Sequence, residues 1–417
     1  MFARNDDQGD GSRWIATVFA RNDDQGDGSG WIAKVFARNA NEVIGKEADM
    51  RKLLFVYNPK AGKGRLEENA EKILEIFQEA GFETTVHATA CKGDGTRFIK
   101  EYLAAAGRKA VRTDTEAAES LSTASVDTET TESLSTASVD TENTESQKAG
   151  CVDGAGEECE VMNSEDEVGI TDSETEIPAL PDRIVCAGGD GTLQEVMRAV
   201  AESGFDIPVG IIPTGSTNDF GYSLELPEGI LSAARRAANG EPFPCDILNF
   251  YNKKLVYTAA FGLFSEVSYA TPQDEKNRLG HLAYILYGAK MIFKTKKIHA
   301  RISFDGGTMV DDLLLGMVVN AKSVGGFRKI TGPEVELDDG KTELMLVKWP
   351  KNPVQLIKLL WEVVSHKTEG DYFKILHTSE AVFEFDGNVK WSFDGEYGGK
   401  GKRAEISVKK QGIRYIR

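Results

Sequence analysis

The sequence predicts an α/β domain built on a parallel sheet, followed by a β-rich sandwich. Three observations predict it. Strand-like and helix-like runs alternate from Arg51 to about Cys245. Within that part, strand runs end in turns dense in glycine or small hydroxyl residues. Beyond Asp246 the segments are mostly short, apolar or alternating, and separated by Gly and Asp turns. A βαβα alternation calls for a parallel sheet with helices on both faces, and ligands then meet it at the carboxyl ends of the strands.

Residues 1–50 read as a repeat-containing tail. FARNDDQGDGSRWIATV (Phe2–Val18) recurs as FARNDDQGDGSGWIAKV (Phe19–Val35), and two copies are fewer than a solenoid needs to bury a core. Asp6, Asp7 and Asp10 suggest a calcium loop only loosely, because the ligand spacing and closing Glu are missing.

The α/β part starts with a strand at Leu53–Tyr57. A turn follows, Asn58-Pro59-Lys60-Ala61-Gly62-Lys63-Gly64, and then a helix with Leu66, Ala70, Ile73, Leu74 and Phe77 on one face and Gly81 after its end. The turn is a candidate phosphate loop but not a Walker A motif. Thr84–His87 is a further strand and Phe98–Ala106 a further helix.

From about 112 to 181 the pattern stops. The stretch is rich in Ser, Thr, Glu and Asp, with ESLSTASVDTE starting at Glu119 and again at Glu132. It reads as a disordered acidic insertion, too poor in apolar residues to supply a core.

Ile184–Ala187 is a buried strand that breaks at Gly188-Gly189-Asp190-Gly191 and passes into a helix. Three glycines free the backbone for a sharp turn and let a ligand approach. Thr192 and Glu195 have the spacing of a capping box. Such a strand, turn and helix start form an anion site, and Asp190 within it suits an accompanying divalent cation or sugar hydroxyl. Ile207–Ile212 repeats the arrangement, ending in PTGSTNDF with Asp219. Two carboxylates on adjacent loops fit a magnesium–nucleotide site, since the metal wants hard oxygen ligands.

The net charge of -17 is local. Between Asp114 and Glu176 there are 19 acidic residues against one basic residue, Lys148, so the remainder is near neutral. That excludes a nucleic-acid signature. Five scattered cysteines without a C-x-x-C pair point to a reducing compartment rather than a disulfide scaffold or zinc site. No apolar run is long enough to span a bilayer, which suggests a soluble cytoplasmic protein.

NPKAGKG, GGDGTLQEV and PTGSTNDF, in this order, resemble the catalytic domain of the diacylglycerol kinase family, in its bacterial soluble branch. RLGHLAYILYGAK (Arg278–Lys290), AKSVGGF, VELDDG and FDGEYGG extend the resemblance over about 51–417, apart from the insertion. It implies a nucleotide-binding domain at 51–245 of NAD kinase/diacylglycerol kinase type. It also implies a lipid-substrate domain at 246–417 whose last residues return to the first. Asn58, Pro59, Lys60, Ala61, Gly62, Thr89, Gly188, Gly189, Asp190, Gly191, Thr192, Leu193, Gln194 and Ser216 would line an ATP site. Asp190 and Asp219 would serve Mg2+ and phosphates, and Glu396 would be the general base for a lipid hydroxyl. Asp339, with the carbonyls of Glu336 and Lys341, would hold a structural Mg2+. Ser216 stands where a Thr is usual and Gln194 where an Asn is usual; both keep the polar group.

The function implied is an ATP-dependent lipid kinase, peripheral at the inner face of the membrane, with a homodimer left open. The alternatives are a kinase of a soluble substrate, NAD or a sugar, and a binding protein with an inactive kinase fold. The intact Asp190, Asp219 and Glu396 speak against the last. Two helices are expected in the second half, Gly280–Phe293 and Val354–His366, the first carrying an apolar and basic surface suited to anionic lipid.

Overall fold

The computed structural model describes residues 50–123, 178–251, 253–263, 295–328, 330–332, 335–365, 367 and 369–417. The N-terminal repeats, the insertion between 124 and 177, and the expected Gly280–Phe293 helix lie outside the described residues. The chain divides into two compact units, Met1–Lys100 with Pro181–Arg417, and Glu101–Leu180.

The first unit opens with β1 (Arg51–Tyr57), whose last five residues are all buried, as a strand covered on both faces should be. A 3-10 turn (Ala61–Gly64) leads into α1 (Arg65–Glu79), which buries Leu66, Ala70, Ile73, Ile76 and Phe77. Gly81 then takes φ +80, a conformation glycine adopts without strain. β2 (Phe82–Ala88) and α2 (Asp94–Thr123) follow. The helix passes the expected start of the insertion at Arg112 and continues to Thr123, because Ala, Glu and Leu in that acidic stretch are helix formers. Within the second unit the Tyr102 hydroxyl donates to the Ala179 carbonyl at 3.4 Å.

β3 (Arg183–Gly188), α3 (Asp190–Ser203) and β4 (Val209–Pro213) complete a run of parallel pairings in the order β2-β1-β3-β4. α4 (Asp219–Ser223) is a short turn of helix, and α5 (Ile230–Asn239) packs Ala233, Ala234, Ala237 and Ala238 inward. Sequence periodicity does not reveal α5, since an alanine face contrasts weakly with its polar side. The small face is required: a Cβ on Gly210 of β4 would stand 2.8 Å from the Ala237 Cβ.

The second half contains β5 (Pro242–Phe250), β6 (Lys253–Leu255), β7 (Thr258–Gly262), β8 (Ile298–Phe304), β9 (Gly307–Val319), and the small hairpin β10 (Ser323–Val324) and β11 (Phe327–Arg328). Then come β12 (Thr342–Lys348), α6 (Pro353–Val364), β13 (Phe373–Thr378), β14 (Glu380–Phe393) and β15 (Glu396–Ile416). The boundary expected after Cys245 falls inside β5, whose two prolines mask it as a strand in the sequence.

This half is β-rich, but its pairings do not separate into the two sheets of a simple sandwich. β9 and β14 are long enough to change partners along their length. Each pairs with β7 over one part and with β8 over another, so β7, β14, β8 and β9 close a ring. Its core gathers Phe250, Phe261, Phe383, Phe385, Trp391 and Phe393. β15 joins everything: it pairs antiparallel with β14 and β5, and Tyr415 pairs in parallel with Val209 of β4.

Candidate active site

Three loops meet at the carboxyl ends of β1, β3 and β4. The Asn58 amide donates to the Ala187 carbonyl at 2.9 Å, and the Thr214 amide to the Gly188 carbonyl at 2.8 Å. The Asn58 side-chain amide donates to the Thr192 hydroxyl at 3.2 Å. Gly62, at φ +68, lies so close that an added Cβ would stand 3.1 Å from the Thr214 carbonyl oxygen. At Gly215 an added Cβ would come within 2.8 Å of the Gly189 Cα and 2.9 Å of the Asn218 Oδ1. Side chains are excluded where these loops cross, which leaves backbone facing the space between them.

α3 starts at Asp190 with Gly189 as its N-cap, and no side chain caps it. The capping box expected of Thr192 and Glu195 does not form. The Thr192 hydroxyl accepts from Asn58, and Glu195 turns to the β2–α2 loop, where its Oε1 accepts the Gly93 amide at 2.8 Å. The first-turn amides of α3 are therefore open to an anion. The Asp190 Oδ2 accepts the Thr217 hydroxyl at 2.8 Å, while its Oδ1 is buried without a hydrogen-bond partner. Burial pushes the Asp190 carboxyl up from the ordinary aspartate range, and the nearby Asp219 charge adds to this against the Thr217 hydrogen bond.

Asp219 has a different environment. It is buried, and its Oδ1 accepts the Ser323 hydroxyl at 2.6 Å and the Gly326 amide at 3.0 Å, both from the β10–β11 hairpin. Its carboxylate pins that hairpin beside the loops. The Leu193 side chain is fully buried, and its amide donates to the Gly189 carbonyl at 3.1 Å. Thr89 is buried, its amide bonded to the Tyr57 carbonyl, and Lys60 and Ser216 are exposed.

Tyr257 joins this site from the second half, unforeseen in the sequence because a lone Tyr between two strands carries no signal. Burial pushes its phenol well above the usual range, with Asp190, Asp394 and Asp219 adding to the shift and Gln194 supplying a hydrogen bond. It sits on a strap held by Asp394, whose carboxylate accepts the amides of Val256, Tyr257 and Thr258 at 3.0, 3.1 and 2.8 Å. The strap separates β6 from β7.

Asp394 and Gly395, at φ +49 and +88, make the two-residue turn between β14 and β15 that Asp-Gly favours. The turn sends Asp394 into the second half and starts β15 with Glu396. The Glu396 carboxylate reaches across to Lys92 of the β2–α2 loop, Oε1 to Nζ 2.8 Å. The same loop is tied by Gly93 to Glu195, whose carboxyl is raised by burial and by the Glu396 charge.

The LDDG turn lies elsewhere in the second half. The Asp339 Oδ1 accepts the Lys341 amide at 2.8 Å, and Glu336 is exposed. Beside it is Asp246, missed in the sequence, whose carboxylate accepts the amides of Gln411 and Gly340 at 2.7 and 2.5 Å. Burial raises its carboxyl, helped by the charges of Asp339 and Asp338. Among the described residues no group of three or more His, Cys, Asp or Glu side chains is placed to hold a metal. Cys186 and Cys245 are free and buried, whereas Cys91 is disulfide-bonded, so the cysteines do not carry the expected reducing compartment.

The diacylglycerol kinase catalytic-domain family matches residues 52–113 and 138–250. The diacylglycerol kinase of Staphylococcus aureus (strain JH9) is 32% identical over 221 residues, covering 52% of this chain and 69% of the relative. The chain belongs to the diacylglycerol kinase family. It is accordingly a kinase, and its likeness runs along most of its length. The diacylglycerol kinase of Bacillus subtilis (strain 168) is 28% identical over 352 residues, 84% of this chain and 91% of that one. Two solved structures from Bacillus anthracis str. Sterne share the fold, with TM-scores of 0.61 and 0.57 at 21% and 18% identity. Each covers 89% of this chain and 98% of its own, and the second is of a diacylglycerol kinase. Among the described residues no helix of this family member is long and apolar enough to cross a membrane.

Proposed function

We propose that this kinase transfers the γ-phosphate of ATP to the primary hydroxyl of diacylglycerol or a related lipid, giving phosphatidic acid or its analogue at the cytoplasmic surface of a bilayer. One observation carries the reading. Eight buried side-chain polar atoms among the described residues have no hydrogen-bond partner, and three of them are Asp190 Oδ1, Thr214 Oγ1 and Asn218 Oδ1, on adjoining loops. Buried polar atoms are ordinarily bonded, so three orphans around glycine-lined backbone mark where a polar ligand belongs.

An orphaned carboxylate oxygen beside a helix start fits a Mg2+–nucleotide. Asp190 would hold the cation, which when bound neutralises phosphate charge. The open amides of α3 and the backbone of Gly188, Gly189 and Gly62 would orient the phosphates. Thr217 fixes the Asp190 rotamer, and Asp219 fixes the hairpin that borders the site. Glu396 would accept the proton of the lipid hydroxyl as its oxygen bonds to the γ-phosphorus and the bond to the bridging oxygen breaks. For a structural cation, Asp339 with the carbonyls of Glu336 and Lys341 is supported by the accumulated negative charge of Asp246, Asp338 and Asp339.

The test is to incubate the purified protein with γ-labelled ATP and diacylglycerol in mixed micelles, with NAD and sugars as parallel acceptors. Labelled phosphatidic acid is expected. Label in NAD or sugar alone would replace the lipid reading.

A further inference from the structure

α6 departs from the rule that large apolar side chains go inside. Seven of them are exposed among the described residues, and Val354, Ile357 and Trp361, at 75%, 67% and 71% exposure, all belong to this helix. Their spacing puts them on one face. The other face holds Leu356 and Leu359 buried, together with Glu362, whose carboxylate accepts the amides of Asp371, Tyr372 and Phe373 at 3.1, 2.8 and 3.0 Å. The one acid of the helix is thus turned away from the apolar stripe. Lys351 precedes the helix and Lys367 follows it, both exposed and without an ion-pair partner among the described residues. Lys358, on the stripe itself, neutralises Asp371, leaving Glu369 as the one exposed acid nearby without a lysine.

We infer that this face of α6 docks on an anionic bilayer, Val354, Ile357 and Trp361 entering the acyl boundary while Lys351 and Lys367 meet lipid phosphates. The inference rests on the lipid-kinase reading above. Charge selects the occupant: an apolar stripe bracketed by two lysines unpaired among the described residues, with the helix's own acid turned inward, matches an anionic lipid surface. Size selects against a second copy of the chain. Three such side chains offer about 400 Å² of apolar surface, half of the roughly 800 Å² per partner that a stable protein interface buries. Trp361 suits a boundary that is apolar on one side and wet on the other.

The experiment is sedimentation of the full chain with vesicles of phosphatidylcholine alone or mixed with phosphatidylglycerol, comparing wild type with Val354→Ser/Ile357→Ser/Trp361→Ser. All three positions are exposed, so the melting temperature should stay within about 2 °C. Wild type should bind the phosphatidylglycerol vesicles, and the variant should lose about tenfold or more in partitioning. Activity on vesicle-embedded diacylglycerol should fall with it, while activity on short-chain diacylglycerol dispersed in water stays at the wild-type level. If the triple variant does not fold, Trp361→Ser alone serves, read by loss of the vesicle-induced blue shift in tryptophan fluorescence. Equal vesicle binding by wild type and variant overturns the inference, as does a variant that changes oligomeric state but not vesicle binding. Stripe-dependent binding by a protein that phosphorylates no diacylglycerol would sustain the docking surface and remove the lipid-kinase reading instead.

Discussion

Lys92 Nζ lies 2.8 Å from Glu396 Oε1, although the two are about 300 residues apart along the chain: one belongs to the loop after β2 and the other starts β15. Both side chains are substantially exposed, at 66% and 42%. An exposed pair of this kind stabilises by about 1 kcal/mol or less, so its meaning is positional. It keeps the carboxylate beside the β2–α2 loop. Glu396→Gln should cut turnover by about 10²–10⁴-fold while the KM for ATP holds, as expected for a group acting on the acceptor. Lys92→Met should leave the melting temperature nearly unmoved and cost far less turnover. Loss of ATP binding in Glu396→Gln with a normal rate at saturating ATP would place Glu396 in the nucleotide site.

Asp190 and Asp219 should separate in mutagenesis. Asp190→Asn removes a charge whose one oxygen is orphaned, so turnover should collapse with little change in melting temperature. Asp219→Ala leaves the Ser323 hydroxyl and Gly326 amide unsatisfied and should lower stability by about 2–4 kcal/mol, measured by denaturant unfolding. A stable but inactive Asp219→Ala would return Asp219 to the chemistry.

Gly215→Ala tests the loop crossing. Its Cβ would sit 2.8 Å from the Gly189 Cα, backbone against backbone, so the loops must part. The KM for ATP should rise by about tenfold or more, since a misplacement of about 1 Å can cost as much as about 10²-fold. An unchanged KM would show that nucleotide does not use this crossing.

Glu343 gives a pH prediction. Burial, with Asp339 adding to it, pushes its carboxyl up to about 8, and its Oε2 has no partner. The folded protein holds a proton there that the unfolded chain releases near the ordinary glutamate value. Stability should therefore fall as pH rises from about 4.5 to about 8, then level off. Glu343→Gln should flatten that decline in urea unfolding across the same range. A parallel decline in both proteins would assign it to other groups.

Asp339→Ala should lower the melting temperature in nucleotide-free buffer, and added Mg2+ should stabilise wild type but not the variant. Equal Mg2+ shifts would put the cation elsewhere.

The sequence announced the loops better than the partners that hold them. Asn58 to Gly62, Gly188 to Thr192 and Thr214 to Asp219 could be found because glycine and hydroxyl turns after apolar runs have a local signature, and they converge. The roles within them were harder. Nothing near Asp219 in sequence says that Ser323, about a hundred residues on, will take its carboxylate, and nothing near Thr192 says that Asn58 will take its hydroxyl. Tyr257, Asp246 and Lys92 were invisible for the same reason: each matters through a residue distant along the chain. Elements failed where the signal was chemically weak, as with the alanine face of α5 and the prolines of β5.

The position of β15 bears on how the molecule comes into being. It follows all the other described strands along the chain, yet it carries Glu396 at one end and pairs with β4 through Tyr415 at the other. Every other described strand is synthesised before it. A nascent chain that has made all three glycine and hydroxyl loops still has an open edge on β4 and β5 and lacks Glu396. Its closing contacts span some two hundred residues, as between Val209 and Tyr415, and pairings of such separation form slowly. The kinase should therefore acquire activity only after β15 has emerged, in one late step, rather than domain by domain as it leaves the ribosome.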